Sequence, residues 1–417
     1  MKNTSQEPVT RVYIESISVP FSYPVYFTRN AFSASNPILA ETIGRPVVGG
    51  VSPRCGNSRG GDVPPTRDHP DARATKALVY FDAGLVAAQP HLPRAAVEYA
   101  KKHCEAMEFL APPRVLPGGE GAKDGWAVAQ PVLDEIIAHR LDRHSYVLAV
   151  GGGAFLDAVG FAASLVHRGV RLVRLPSTTL SQDDGGVGVK TGVNLGGVKN
   201  LLGTFAPPFA VINDLEFLRT LPRDVMLDGI AEAFKVAIIK DAAFFGFLCD
   251  AGDRLAAGEQ EAVEQAVRRA AVLHLEHIRD GADPFEMGDA RPLDFGHWAA
   301  HRLEGLSGYA VRHGQGVAVG IALDSVYASL NSLLSREELD RILAALRRCG
   351  LPAWHPLLGE RDAAGRLAIL EGIEQFREHL GGRLSITLPS GIGRRVEVHE
   401  MDSALIGEAI AFLREAQ

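Results

Sequence analysis

Three histidines fall within seventeen residues in "LDFGHWAAHRLEGLSGYAVRHGQG", residues 293–316, although the whole chain has only 14. They stand on apolar, glycine-rich ground. His297 and His301 are four apart, so a helix would carry both on one face. A solitary histidine on such a face is usually a satisfied core residue. Three together become a metal set once a carboxylate joins them, because catalytic zinc takes a few nitrogen and oxygen ligands and keeps a position open. "GIAEAFKVAIIKD", residues 229–241, supplies one. Glu232 and Lys235 are three apart on an otherwise apolar helix, and charges in such surroundings are seldom left unpaired or unliganded. Glu232, His297 and His313 are therefore the candidate ligands of a divalent ion, Zn2+ or Co2+. His301 is left to contact a phosphate or carry a proton.

A second group of residues has the chemistry of nucleotide binding. "SYVLAVGGGAFLDAVGFAA" is an apolar strand, three glycines and a helix. Backbone N–H groups at Gly151, Gly152 and Gly153 could cradle phosphate at the helix N-terminus. Triple glycine also makes plain tight turns, and this is not GxGxxG. Two companions strengthen the reading: Asp82 ends the strand "KALVYFD", where a carboxylate can accept from a ribose hydroxyl, and the turn "PGGEGAKD" brings Glu120 and Lys123. Further on, "RLPSTTLSQDDGGVGVKTGVNLGGVKN" gathers Ser177, Thr178, Asp184, Lys190, Asn194, Lys199 and Asn200 between glycines. It is expected to be a polar loop beyond a buried strand, where α/β proteins place ligands. Its lysines and asparagines suit a polyhydroxylated anion.

The elements that must position these groups follow from periodicity. Apolar strands at 76–82, 107–113, 145–153, 171–177 and 210–222 alternate with helices at 95–104 and 127–141, which predicts a doubly wound parallel sheet. One or two strands are expected in 11–28, broken at Pro20 and Pro24. Residues 1–10 should be frayed, and 45–75, rich in Gly, Pro, Arg and Asp, should form a flexible insertion. Beyond Pro222 the spacing turns helical, with a small hairpin late, at 383–402. The expected organisation is an α/β Rossmann-like domain over 1–220 and a mostly α-helical domain over 221–417.

Composition narrows the function. With 43 Lys and Arg against 50 Asp and Glu, the formal charge is −7, and no basic stripe invites nucleic acid. Cys55, Cys104, Cys249 and Cys349 lack CxxC spacing and suggest reduced thiols. No apolar run reaches membrane-spanning length, and the N-terminus lacks a signal-peptide pattern. The expectation is a cytoplasmic protein with a small-molecule substrate.

Over roughly 77–395 the chain resembles 3-dehydroquinate synthase and the wider sugar phosphate cyclases. The resemblance rests on "GGGAFLDAVGFAASLVHRGVRLVRLPSTTLSQDDGGVGVKTGVNLGGVKN", "LRTLPRDVMLDGIAEAFKVAIIKD" and "DFGHWAAH…RHGQG". It implies metal ligands at Glu232, His297 and His313. It implies NAD contacts at Asp82, Glu120, Lys123, Gly152, Gly153, Asp157, Ser177, Thr178 and Thr220. Substrate and catalytic roles fall on Asp184, Lys190, Lys199, Asn200, Lys235 and His301. Arg168 matches an arginine that reaches the substrate phosphate across a homodimer interface. The implied reaction is transient oxidation of a C7 sugar phosphate by NAD, β-elimination of phosphate, return of the hydride, ring opening and aldol closure. NAD is regenerated, so the enzyme is a carbon–oxygen lyase rather than a net dehydrogenase. A metal-dependent alcohol or glycerol dehydrogenase would leave the lysine-rich loop without a purpose, and a silent relative would not need the metal set.

The chain departs from dehydroquinate-forming members where they hold the substrate carboxylate. Ala290 replaces an arginine, with Arg291 one step on, and Glu276 stands at a lysine position. Asp294 replaces an asparagine, Phe376–Glu378 a "DKK"-like segment, and Gln315 a glutamate. "RPLDFGH" and "SVPFSYPVYFT" look closest to the sedoheptulose 7-phosphate cyclase and EboD-like branches. Fewer cations and more acids disfavour a carboxylate substrate. The expected substrate is a sedoheptulose 7-phosphate-like ketose, met by Asp294 and Arg291.

Overall fold

The computed structural model describes residues 15–17, 19–44, 74–196, 198–281, 285, 292–379 and 381–416. In chain order the first half holds β1 (Val25–Thr28), α1 (Ile38–Ile43), β2 (Thr75–Asp82), α2 (Ala83–Ala88), α3 (Leu92–Lys102), β3 (Met107–Phe109), β4 (Arg114–Leu116), α4 (Ala129–Ala138), β5 (Tyr146–Gly151), α5 (Gly153–Leu165) and β6 (Arg171–Pro176). The hairpin strands β7 (Lys190–Leu195) and β8 (Val198–Phe205) follow, then β9 (Ala210–Asp214). The main sheet runs β1-β9-β6-β5-β2-β3, with β4 pairing the far end of β2, and every pairing in it is parallel.

Runs such as "ALVYF" and "YVLAV" have no polar face to show water, so both faces must be covered. Along β2, Val79 and Phe81 join a core with Phe32, Tyr99 and Ile212, while Leu78 and Tyr80 join another with Ile136, Phe155 and Val159. Thus α1 and α3 cover one face and α4 and α5 the other. This is the expected doubly wound layer, and its strand ends carry the glycine turn.

Four local expectations need correcting or bounding. The insertion at 45–75 lies outside the described residues as far as 73, and its last residue, Thr75, already opens β2. Residues 1–10 also lie outside them. Within 19–28 there is one strand, which begins only after Pro24, because proline cannot donate to a ladder. The apolar run 210–222 is a strand only to Asp214. There the Asp214 side chain accepts from Glu216 N and turns the chain into a 3-10 turn, Leu215–Thr220.

The largest correction concerns 177–200. A compact π-turn, Ser181–Gly185, leads into the antiparallel β7–β8 hairpin. Glycines hid its alternation. Thr191 and Val193 are buried, and a Cβ on Gly160 of α5 would come within 2.7 Å of Thr191 Cγ2, so glycine lets the hairpin lie flat on that helix. Thr204 Oγ1 donates to Ser164 Oγ at 2.9 Å and fixes the contact.

The second half is α6 (Arg223–Lys240), α7 (Ala242–Asp250), α8 (Gly252–Ala256), α9 (Gln260–Asp280), α10 (His297–Leu306), α11 (His313–Leu330), α12 (Arg336–Arg348) and α13 (Glu371–His379). The small pair β10 (Ile386–Pro389) and β11 (Arg395–Val398) and the last helix α14 (Ser403–Glu415) complete it. Helices α6 and α11 are buried on almost every side and form its centre. Helix α11 meets α10 through small residues. A Cβ on Gly320 would lie 2.0 Å from Gly296 O, and one on Gly316 would be 3.2 Å from Ala300 O. Gly296 itself has φ +80°, a left-handed turn that starts α10. No helix among the described residues is long and apolar enough to cross a membrane.

Candidate active site

That close seam brings the sequence-distant histidines together. His297 opens α10, His313 opens α11 and Glu232 lies mid-way along α6. Their donor atoms all fall within 4.8 Å of one another. His297 Nε2 is 3.7 Å and His313 Nε2 3.3 Å from Glu232 Oε1. On the far side of each ring, Nδ1 faces an acceptor: Phe295 O at 3.1 Å for His297 and Glu304 Oε1 at 2.8 Å for His313. Carbonyl and carboxylate oxygens only accept, so both Nδ1 atoms carry the proton and both Nε2 atoms face inward. Glu232 is 1% exposed, yet neither of its oxygens accepts a well-directed hydrogen bond. A buried carboxylate whose Oε1 faces two imidazole nitrogens fits a divalent cation. Burial alone would lower His313, but the Glu232 and Glu304 carboxylates outweigh it and push it up to about 10, so a metal would displace a proton.

Lys235, 1% exposed, lies beside this set with Nζ 2.5 Å from Glu232 Oε2 and 3.6 Å from Asp184 Oδ1. Burial would raise Glu232, but Lys235 overrides it and holds the carboxyl at about 2. Asp184 is also kept well below its usual range against burial, by Lys235 and then His274, whose Nδ1 is 2.7 Å from Asp184 Oδ1. Its neighbour Asp183 goes the other way: burial, then the charges of Asp184 and Glu232, push it well above the usual carboxylate range. Gly229 makes this assembly possible, because a Cβ there would sit 2.5 Å from Thr179 Cβ and Leu180 N. Helix α6 thus rests directly on the turn that carries Asp184.

The nucleotide-type residues gather at the carboxyl ends of β2, β5 and β6. Gly152 is the N-cap of α5 and no side chain caps that end, which leaves the N–H groups of the first turn for a ligand. A Cβ on Gly153 would meet nothing within 4 Å, so space lies in front of the helix. This fits a pyrophosphate. Buried Lys123 pairs with Asp157 at 2.6 Å. Ser177 N donates to Gly151 O, and Thr178 Oγ1 to Ser181 Oγ, both at 2.9 Å. Thr220 Oγ1 accepts from Gln89 Nε2 at 3.0 Å. Asp82 has a duty the sequence did not announce. Its Oδ1 caps α2 by accepting from Gly84 N and Leu85 N, so a ribose hydroxyl would have to use Oδ2.

On the substrate side, Lys190 is exposed at the start of β7, and Lys199 bridges Glu304 (2.9 Å) and Glu120 (3.2 Å). Asn200, also exposed, has φ +52° and donates its backbone N–H to Asn194 Oδ1 at 3.0 Å. His301 opens to the cleft, its ring centroid 5.5 Å from His297 and 5.9 Å from His313. Asp294 is half-buried and within electrostatic reach of Lys235 and of Glu397 on β11. Glu276 is turned towards Lys240. Gln315 accepts from Arg312 N and completes a helix cap. Ala290 and Arg291 lie outside the described residues. Arg168 is exposed beyond the C-terminal end of α5, roughly 20 Å along the helix from the glycine turn. It does not join the site of its own chain.

Three supports escaped the sequence reading. Glu304 follows His297 and His301 on the same helical face, a spacing signal that could have been used. His274 sits on the apolar face of α9 and gave none. Arg174 of β6 is fully buried and donates to the carbonyls of Gly186 (3.3 Å), Gly188 (2.8 Å) and Lys190 (2.7 Å). Tyr23 OH donates to Val187 O at 2.7 Å, so the stretch between Asp184 and Lys190 is held from inside.

Family models for the N-terminal and C-terminal parts of 3-dehydroquinate synthase match residues 114–228 and 229–370. A 3-dehydroquinate synthase of Paracoccus denitrificans (strain Pd 1222) is 36% identical over 331 residues, 77% of this chain and 85% of that protein. The chain belongs to the 3-dehydroquinate synthase family. Another member, from Cereibacter sphaeroides (strain ATCC 17029 / ATH 2.4.9), is 38% identical over 285 residues, covering 67% of this chain and 75% of its own. Among solved structures the family fold recurs in 2-epi-5-epi-valiolone synthase from Streptomyces hygroscopicus subsp. jinggangensis 5008, with NAD+ and Zn2+ bound. The TM-score is 0.81 at 29% identity, covering 97% of this chain and 100% of that one. A 2-deoxy-scyllo-inosose synthase complexed with carbaglucose-6-phosphate, NAD+ and Co2+ shares the fold at 21% identity and TM-score 0.70, covering 93% and 96%. The family places this chain within the sugar phosphate cyclases, as its motifs led us to expect.

Proposed function

We propose that this chain is a phosphate-eliminating cyclase that converts a seven-carbon ketose phosphate, sedoheptulose 7-phosphate or a near relative, into a carbocycle. It would use NAD and one Zn2+ or Co2+ and act as a carbon–oxygen lyase. The observation that carries the reading is the buried Glu232, His297 and His313 set flanked by Lys235 and Asp184. When bound, the metal would polarise the reacting secondary alcohol, and the nicotinamide would accept and return one hydride.

The chain's own residues do the rest. The uncapped start of α5 at Gly152 and Gly153 seats the pyrophosphate of the dinucleotide, beside Lys123, Asp157, Ser177 and Thr178. Lys190, Lys199 and Asn200 hold the substrate phosphate, and His301, open to the cleft, carries a proton or contacts that phosphate. Lys235 and Asp184 fix the carbon chain through its hydroxyls. At the other end Asp294, with Glu397 nearby, can accept from a hydroxymethyl group and repels a carboxylate.

With this active site, sedoheptulose 7-phosphate should exceed the C7 acid phosphate by at least about tenfold in kcat/KM, about 1.4 kcal/mol. Phosphate release and product NMR on both substrates measure this. NADH absorbance should not accumulate; stoichiometric build-up would support a simple dehydrogenase. A second reading, dehydroquinate formation, has its own observation: the curated relatives at 36–38% identity named above are 3-dehydroquinate synthases. Efficient use of the acid phosphate would establish it.

By its resemblance to the family's arginine, Arg168 is read as completing the phosphate site of the partner chain in a homodimer, in keeping with its place a helix length from the site of its own chain. Arg168→Ala and His297→Ala, each inactive alone, should regain up to about a quarter of wild-type activity when mixed and reassociated, since mixed dimers keep one intact site. No recovery, or a fully active monomer, would exclude the arrangement.

A further inference from the structure

We propose that Glu304 is a positioning residue of the metal centre, fixing the tautomer and direction of His313 with one oxygen and seating Lys199 with the other. The proposal rests on the reading of Glu232, His297 and His313 as metal ligands and goes beyond it.

Glu304 is seven residues after His297 on α10 and only 2% exposed. A carboxylate that deep must be paired. Its Oε1 accepts from His313 Nδ1 at 2.8 Å and its Oε2 from Lys199 Nζ at 2.9 Å. Lys199 is further held by Glu120 Oε1 at 3.2 Å and lies 5.1 Å over the Tyr309 ring. With Nδ1–H committed to Glu304, His313 can present only Nε2 to the centre, and the ring plane is set. His297 receives the same support from a backbone carbonyl, which no substitution removes. Glu304 is therefore the support of the two that can be tested.

His301, Glu304 and His313 also place donor atoms within 4.8 Å of one another, which raises the question of a ligand role for Glu304 itself. Both of its oxygens already accept from donors, and a cation beside them would face the Lys199 ammonium. The geometry favours support over ligation. Glu304 also joins two ends of the site. Through Lys199 and Glu120 it links the ligand-bearing helices to the turn beside the glycine cradle, so one buried carboxylate aligns the metal with the lysine that is to hold the phosphate.

The test is the affinity of the metal-free protein for Zn2+, by calorimetry against a competing chelator, with the absorption bands of the Co2+ form as a second readout. Glu304→Ala should bind about 10–100-fold more weakly and shift the Co2+ bands. Glu304→Gln, whose amide oxygen can still accept from Nδ1–H, should recover most of that affinity. Thermal unfolding checks that each variant is folded. If Glu304→Ala does not fold, Glu304→Asp, one methylene short of His313, should show the loss instead. Wild-type affinity and bands in Glu304→Ala (or in Glu304→Asp where that variant stands in) would overturn the proposal alone. A wild-type protein without a metal site, or a His313→Ala variant that binds as tightly as wild type, would overturn the reading of the centre and the proposal with it.

Discussion

Replacing His297 by Ala is expected to abolish stoichiometric metal binding and lower turnover by about 10³-fold, on the order of 4 kcal/mol of transition-state stabilisation. The imidazole is buried and is one of the three candidate ligands, with Glu232 and His313. Its loss leaves Glu232 and His313, too few ligands to hold zinc in a catalytic geometry. The fold should survive, because among the described residues the ring's one backbone bond is to Phe295 O, at a cost of roughly 1 kcal/mol. Asp324 still secures the start of α10 through Gly296 N and Trp298 Nε1. Metal analysis and circular dichroism on the purified variant decide the matter. Full metal occupancy would sink the ligand assignment.

The second large effect concerns Lys235. Lys235→Met should destabilise the metal-free protein by about 3 kcal/mol, because removing one partner of a buried ion pair strands the other. Here two carboxylates lose their ammonium partner, those of Glu232 and Asp184. A divalent cation can replace the missing charge, so saturating Zn2+ should restore more stability to the variant than to wild type. Urea unfolding with and without metal measures both quantities. Equal stabilisation by metal in the two proteins would show that Lys235 and the ion do not neutralise the same carboxylates. Turnover should fall in either metal state if the ammonium also holds the substrate, as proposed above.

Much of this site could be read before any coordinates. His297 and His301 announce a helix face by their spacing, Glu232 betrays itself as an acid on an apolar helix, and the unbroken strands around β5 allow only a sheet covered on both faces. The hairpin at 190–205 could not be read, because the glycines that let it lie on α5 remove the alternation that marks a strand. Asp82 has the right place, but sequence does not reveal that the next helix claims one of its oxygens. Glu304 showed its place on the α10 face but not its duty, and His274 showed neither. Each acts through a partner distant in the chain, and only the α10–α11 seam and the packing of α9 on the Asp184 turn bring those partners into reach. Arg174 gave no signal at all, since arginine in a strand ordinarily points to solvent.

That arginine has a consequence for how the site responds to its medium. The backbone between Asp184 and Lys190 is held by a guanidinium against carbonyl dipoles, with Tyr23 adding one hydrogen bond. A guanidinium does not titrate in proteins, and burial, opposed only in part by Arg174, pushes the Tyr23 hydroxyl up to about 12. Neither anchor changes charge near neutrality, and screening ions do not reach a charge sealed inside protein. The phosphate that we propose Lys190 and Lys199 hold would, in contrast, meet them at the open side of the cleft. Ionic strength therefore acts on one partner of this arrangement and spares the other. A KM that climbs with salt is a direct gauge of phosphate capture, uncontaminated by loosening of the loop that performs it.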